Sequence, residues 1–430
     1  MTVGLRYRAE RALASLRKDL PGALTEPDHD DAEVAAMLRE LGIALVEVDQ
    51  PTQMVAARLI AIAERYTDQN VRVVALPRVL FIQVGSVGYE VDTSTRVTTQ
   101  LDAAAVIDDI AELAELGAIR PADAIERLAQ ARCMKPRFGP VLTILGYAVT
   151  TLGFGMLINP HWSALGVYAV LGAAVGAIMQ LGRPVPALHA VLPTAAAAVV
   201  AVLAGQIVGG GGYDVLLRLI APALVPVLPG IPLTLGAMEL AGSSLVAGAS
   251  RLVYGVVQLM LVVFGVGLGM HFARGGAVMA PGVPLGGWAF YAAIVVIGVG
   301  LYLHLSAPPG SLVWLIAAVG VALVGQKVGG IFLSSVHAGA IGAFLVVPFA
   351  SLASRVKTAP PAIVLMLAAF SALVPSTLSF ESLGEAVSGT PQDIATLGVM
   401  FAAIFSIALG TLIGWSLFHP GSRHAARNPR

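Results

Sequence analysis

Four prolines stand in one apolar stretch of this chain, Ala221–Leu240 (APALVPVLPGIPLTLGAMEL): Pro222, Pro226, Pro229 and Pro232, with Gly230 and Gly236 among them. Proline lacks the backbone donor of a helical turn and clashes with the carbonyl one turn earlier. In hydrocarbon an unsatisfied backbone group costs several kcal/mol, so such a break survives only where protein or a water-filled cavity surrounds it. Amides freed at the start of the second half-helix can receive an anion, and the helix dipole adds to their pull. Pro229, Gly230 and Pro232 place such groups near the middle of the stretch, and Thr234 adds a hydroxyl. Two readings stay open: a substrate site on an interrupted membrane helix, as carriers build it, and a kinked helix that only packs.

A second set of residues could move a proton. Glu239 ends the proline-rich stretch, Arg251 follows across a short Gly/Ser turn, and His337 stands beside Ser334 and Ser335. Ionisable groups inside a membrane are functional candidates by default, so Glu239, Arg251 and His337 are the proton-coupling candidates. Their plainer roles are a snorkelling arginine beside a solvated acid and a neutral packing histidine. A second interruption, Pro375-Ser376-Thr377, occupies a corresponding place later in the chain. Its hydroxyls, like that of Thr234, suit a polar ligand or a neighbouring helix. Cys133 is the lone cysteine, and no phosphate loop, HExxH, CxxC or GxSxG occurs in residues 32–133. No metal, cofactor or catalytic residue is expected, and a hydrolase or regulatory role for that region is the rival reading.

Composition sets these residues in a bilayer. Of 430 residues, 57% are hydrophobic and 12% charged, against about 25% charged in soluble domains. Net charge is zero, so nothing points to nucleic acid. No apolar run in the first thirty residues suggests a signal peptide. Residues 1–31 read as a flexible basic-then-acidic tail. Residues 32–135 read as a soluble cytoplasmic α+β domain: helical spacing at Val34, Leu38, Leu41 and Leu45, a helix over Thr52–Tyr66, β-rich runs at Val71–Pro77, Val79–Gly85 and Gly88–Thr93, then helices at Asp102–Leu116 and Pro121–Arg132. The acids Asp102, Asp108, Asp109, Glu112 and Glu115 share one helix and read chiefly as a solvated face.

From Phe138 onward hydropathy places about ten transmembrane spans, each needing about 20 residues. They fall near Phe138–Asn159, Ser163–Leu181, Ala187–Val208, Leu216–Leu240, Leu245–Phe272, Gly287–Ser306, Ser311–Gln326, Ile331–Leu352, Ala362–Leu378 and Ile394–Phe418. Arginine and lysine before the first span, after the second, near the start of the fifth, and after the eighth and tenth put both termini in the cytoplasm. Five spans (136–273) and five more (285–418) then carry their proline breaks in corresponding members, before a basic tail over 419–430. Because five is odd, the second module enters from the opposite side, which makes two inverted five-helix repeats. Small-xxx-small pairs at Gly172/Gly176, Gly265/Gly269 and Gly410/Gly414 suit helix packing within the chain and leave a homo-oligomer open.

The run VLPGIPLTLGAMELAGSSLVAGASRLVYGVVQLMLVVFGVGLGM (Val227–Met270), preceded by a soluble domain of about a hundred residues, resembles the threonine/serine exporter family. ALVPSTLSFESLG (Ala372–Gly384) resembles that family's smaller C-terminal module. The resemblance spans roughly 32–418. Two places depart from it: Leu41–Glu47 replaces a glycine-rich run in an early helix, and Ser376 stands where the family usually has glycine. The resemblance implies a multi-pass protein of the cytoplasmic membrane that exports small hydroxylated amino acids by proton-coupled antiport. Its partners are then the amino acid, protons and the lipid bilayer.

Overall fold

A computed structural model of the chain describes residues 18, 22, 30–92, 100–183, 185, 188–207, 213–273, 282–373 and 394–418. Local sequence sets the first elements. Asp30, in an extended conformation, accepts the Ala32 N–H at 3.1 Å and opens α1 (Asp31–Glu47). Pro51 precedes α2 (Thr52–Tyr66). Strands β1 (Val71–Ala75), β2 (Val79–Val84) and β3 (Val87–Asp92) form an antiparallel sheet in that order. Gly85 takes φ 58° in the two-residue β2–β3 turn, where glycine is unstrained and Val84 faces Val87. Leu80, Ile82 and Val84 are buried while Phe81 and Gln83 are exposed, the period-two pattern of a half-covered sheet. Helices α3 (Leu101–Glu115) and α4 (Pro121–Arg132) follow, and Val34, Leu38, Leu41, Leu59, Ile62, Leu80 and Leu128 share one core.

The acids of α3 are engaged rather than merely solvated. Asp108 and Glu115 hold Arg58 of α2. Burial alone would lower the Arg58 pKa, but the two carboxylates outweigh it and raise it. Asp109 and Glu112 lie 3.0 and 2.8 Å from Lys18 Nζ, and Asp102 is buried, accepting the Ala103 N–H at 2.8 Å. At the end of α4, Arg132 donates to both carboxylate oxygens of Glu47 at 2.9 Å and to Glu40 at 3.1 Å. The Glu47 hydrogen bonds are the main reason its pKa is raised. This compact unit, which runs through Lys135, also takes in Pro308–Trp314 and Pro348–Leu365. Within it the Lys18 N–H donates to the Arg355 carbonyl at 2.9 Å.

Eleven further helices are described: α5 (Pro140–Ile158), α6 (Trp162–Gly182), α7 (Leu192–Ile207), α8 (Tyr213–Leu224), α9 (Gly230–Ala241), α10 (Leu245–Phe272), α11 (Ala289–His304), α12 (Leu312–Phe332), α13 (Gly339–Ala353), α14 (Ala362–Ala372) and α15 (Ile394–Phe418). Among the described residues five are long and apolar enough to cross a membrane, or six if the bent pair α8 and α9 is one span; α7, α11, α13 and α14 are shorter and apolar. The chain is a multi-pass helical membrane protein with a small three-stranded sheet. Two boundaries differ from hydropathy. α12 runs on past Gln326 to Phe332, with Lys327 Nζ 4.2 Å from the centre of the Phe290 ring, so a cation inside the segment does not end it. The next helix therefore starts at Gly339, not Ile331.

Glycines set how these helices meet. A methyl group on Gly265 or Gly269 of α10 would collide with the Thr194 or Ala198 carbonyl of α7. On Gly410 of α15 it would collide with the Ala340 carbonyl of α13, and on Gly414 it would lie 2.9 Å from that of Phe344. In both pairs the two helices run in the same direction. α5 and α11 run opposite ways: Gly146 lies against His304, Gly300 against Thr150 and Gly153 against Ile297. Overpacked cores lose about 1–3 kcal/mol, so Gly265→Leu and Gly410→Leu should each lower the melting temperature of the detergent-solubilised protein. Leu268→Val, on an exposed face, should change stability by less than about 0.5 kcal/mol. A Gly265→Leu protein as stable as wild type would mean that the α7 and α10 backbones do not touch.

Candidate functional site

The proline-rich stretch folds as two half-helices. α8 ends at Leu224, Val225–Val227 make one 3₁₀ turn, and α9 begins at Gly230, bent 67° from the first half. The residue before a proline is pushed out of the helical region, and Leu228, before Pro229, is extended at φ −72° and ψ 142°. Backbone bonds across the break are few. Leu228 N–H donates to Leu224 O at 3.1 Å, Gly230 N–H to Leu228 O at 2.8 Å and Leu233 N–H to Pro229 O at 3.2 Å. No side chain caps α9, and Pro232 in its first turn has no N–H to offer. Pro229, Ile231 and Pro232 are half-buried, whereas Gly230 and Thr234 are buried.

α9 and α10 form a tight hairpin. A methyl on Gly248 would lie 2.5 Å from the Leu240 nitrogen, and one on Gly255 2.6 Å from Leu233. Ser243 turns the chain at φ 75°, and Ser244 N–H returns to Glu239 O at 2.8 Å. This close approach brings Glu239 Oε2 to 3.3 Å from Arg251 Nε, with 1% and 8% of the two side chains exposed. The pair is thus a buried ion pair, and neither member is a solvated surface group. At low dielectric the attraction is strong, and each charge depends on the other for its compensation.

His337 lies elsewhere, in the Ser334–Ala338 turn before α13 rather than inside a helix. Its Nδ1 is 2.6 Å from Ser406 Oγ on α15. The Ser406 hydroxyl donates to Ala402 O at 2.7 Å, so it accepts from Nδ1–H and leaves the Nε2 lone pair as the proton acceptor. Ser406 went unnoticed in the sequence, since its partner is distant along the chain and a lone serine in an apolar helix gives no signal. α15 also packs on α9 and α10, where Ile404 and Ala408 share a cluster with Leu233, Leu235, Met238 and Leu259. The candidates therefore form two groups flanking one packed cluster: Glu239 with Arg251, and His337 with Ser406. Pro375, Ser376 and Thr377 lie outside the described residues, as does Glu381. Among the described residues no group of three or more metal-ligating side chains occurs.

The family model described as "Putative threonine/serine exporter" matches residues 36–273, more than half of the chain. The chain belongs to this family. The match runs from within α1 to the end of α10, and takes in the break and the Glu239–Arg251 pair; His337 and Ser406 fall beyond it. The exporter-family chain is also similar to "Pheromone-regulated membrane protein 10" of Candida albicans strain WO-1, with 31% identity over 155 residues, 34% of this chain and 14% of that protein. The protein of the same name from strain SC5314 / ATCC MYA-2876 matches to the same extent. The aligned stretch is thus a small part of either relative's length. No solved structure matches the chain.

Removing one partner of a buried ion pair leaves an uncompensated charge and costs about 3–5 kcal/mol, while replacing both is often nearly neutral. Arg251→Met should therefore destabilise this exporter-family protein strongly. Glu239→Gln combined with Arg251→Met should recover most of the loss, as read by thermal unfolding in detergent. A double variant no more stable than Arg251→Met would mean that the two groups do not compensate each other.

Proposed function

We propose that the chain is a secondary exporter of small hydroxylated amino acids, threonine or serine, across the cytoplasmic membrane and driven by the proton gradient. The observation that carries this reading is the 67° break at Leu228–Gly230 inside the part matched by the exporter family. A half-helix start with few backbone bonds suits a carboxylate, and buried Thr234 on the same helix suits a hydroxyl. Pro375, Ser376 and Thr377 would contribute the second side of the site. Glu239, Arg251 and His337 would carry the proton: the first two as a pair that opens when the acid is protonated, the third through Nε2.

The architecture in this reading is ten spans in two inverted modules, 136–273 and 285–418. A cytoplasmic domain over 32–135 precedes them, and tails over 1–31 and 419–430 flank the whole. Internal contacts support it. The displacement along the chain that carries Pro229 to Pro375 also carries Thr194 to Ala340 and Ala198 to Phe344. Within one residue it carries Gly265 to Gly410 and Gly269 to Gly414, so the α7–α10 and α13–α15 packings correspond. Applied to the α5–α11 contact, it exchanges the helices: Thr150 against Gly300 becomes, within one residue, Val296 against Gly153. A contact that maps onto itself in this way is what a two-fold axis between first and sixth spans requires. Placement of Pro308–Trp314 and Pro348–Leu365 in the same compact unit as residues 1–135 agrees with those connections lying on the domain's side. The pairing of Trp162 N–H with Val283 O and of Leu285 N–H with Pro160 O joins two connections assigned to the opposite side.

Efflux tests the function. Cells lacking the protein, loaded with threonine- or serine-containing dipeptide, should retain the free amino acid, and the chain should restore its efflux only while a proton gradient stands. Pro229→Leu with Gly230→Leu should insert normally and abolish efflux. Efflux unchanged by the protein for both amino acids would remove the substrate class, and normal efflux in the double variant would remove the site.

A further inference from the structure

One face of the three-stranded sheet packs on the core of its unit, through Leu80, Ile82 and Val84 with Val73 and Tyr89 beside them. The other face is exposed. The register sets Arg72, Gln83 and Gly88 side by side across β1, β2 and β3, and Val74, Phe81 and Glu90 in the next row on the same side. All six residues are exposed. Val74 and Phe81 are cross-strand partners, and they stay 56% and 42% exposed. Among the described residues of 30–133, Val87 at the end of the same sheet is the only other large apolar side chain so exposed. A methyl group on Gly88 would have no atom within 4 Å, so that corner of the face is bare.

The charges of this face stand at opposite corners. Arg72 on β1 and Glu90 on β3 are two strands and two residues apart, about 12 Å between Cα atoms, with Phe81 between them. They are too far apart to pair with each other. Arg58, Arg120 and Arg132 of the same unit hold carboxylates, whereas Arg72 and Glu90 have no ion-pair partner among the described residues. A polyanion or an anionic lipid surface would be repelled by Glu90. A cation and an anion on either side of an apolar centre are instead complementary to a second copy of the same face. A two-fold axis in the plane of the face, along the diagonal from Val74 to Gly88, exchanges the two charged corners. Arg72 of each copy then lies opposite Glu90 of the other. The same axis sets Val74 and Phe81 of one copy against those of the other. Stacked sheets lie about 10 Å apart, a gap that the apolar side chains fill and that an extended arginine and glutamate bridge.

We propose that the chain self-associates through this face, in an isologous sheet-on-sheet contact with Val74 and Phe81 at its centre and two reciprocal Arg72–Glu90 pairs at its rim. The patch is small beside the roughly 1,200–2,000 Å² that a standard interface buries. Copies confined to one bilayer meet at high effective concentration, which lets a small contact suffice. The contact does not depend on what the chain transports or on the number of its spans.

Two full-length copies with different affinity tags, co-expressed and extracted together in mild detergent, test it. Wild-type copies should co-purify. Arg72→Glu in both copies, or Glu90→Arg in both, sets like charges opposite each other and should cut co-purification about tenfold or more. Phe81→Ser in both should lower it as well, with the melting temperature unchanged because the side chain is on the exposed face. One copy with Arg72→Glu and the other with Glu90→Arg restores opposite charges at both corners, so this mixed pair should recover most of the wild-type yield. Recovery also shows that each reversed chain is folded. Wild-type copies that stay apart would overturn the contact and leave the face to a different partner. Reversed copies that co-purify as well as wild type would overturn it too, and would place self-association in the membrane helices. A mixed pair of folded chains that fails to recover would show that Arg72 and Glu90 do not meet.

Discussion

A backbone amide or carbonyl in hydrocarbon must find a partner within the protein, and the prolines of residues 221–240 decide where this chain cannot meet that demand by ordinary helix. Pro226 and Pro229 remove two donors in succession, and Leu228 is forced into extended backbone. What remains is a 3₁₀ turn, an extended residue and a fresh helix start. The rest of the membrane part is arranged to make that interruption tolerable. α8 packs with Leu217, Leu219 and Ile220 in a cluster shared with α6, α7 and Val262 and Val266 of α10, and α9 packs with α10 and α15 in another, so α10 touches both halves.

Small residues do the holding. Without a hydrophobic force between helices in lipid, close backbone approach supplies the packing, and glycine is the residue that permits it. The parallel pairs α7–α10 and α13–α15 both use two glycines spaced one turn apart against successive carbonyls of the partner. The antiparallel α5–α11 pair instead alternates its glycines between the two helices, at Gly146, Gly153 and Gly300. Polar side chains are then admitted where a specific partner waits: Arg251 for Glu239, Ser406 for His337, and the Gly300 carbonyl with Thr150 for His304.

How much of this was legible in the sequence depends on the range of the interaction. The broken helix could be read because proline acts on its own backbone, and the Glu239–Arg251 pair because a short Gly/Ser turn forces the two neighbouring helices together. Small-xxx-small pairs announced close packing but not the partner, since a glycine does not name the carbonyl it approaches. Hydropathy puts His337 inside a helix because it takes Lys327 as a stop in α12, whereas the Phe290 and Tyr291 rings accommodate its ammonium. Ser406 and the Thr150–His304 contact were illegible for a different reason: each joins residues far apart in the chain, and neither partner carries a motif.

The two packings together restrict what can move. α10 is locked to α9 along its first half, through Gly248 and Gly255, and to α7 along its second, through Gly265 and Gly269. Displacing α9 therefore drags α10, and displacing α10 drags α7. α8, by contrast, joins α9 through Val225–Pro229, where few backbone hydrogen bonds and the fixed φ torsions of Pro226 and Pro229 carry the connection. Packed helices resist gradual deformation, so a change of shape in this module concentrates at those five residues, where rigid bodies join through a short irregular link. The element that the prolines prevent from being a continuous helix is thus also the one about which the rest can turn.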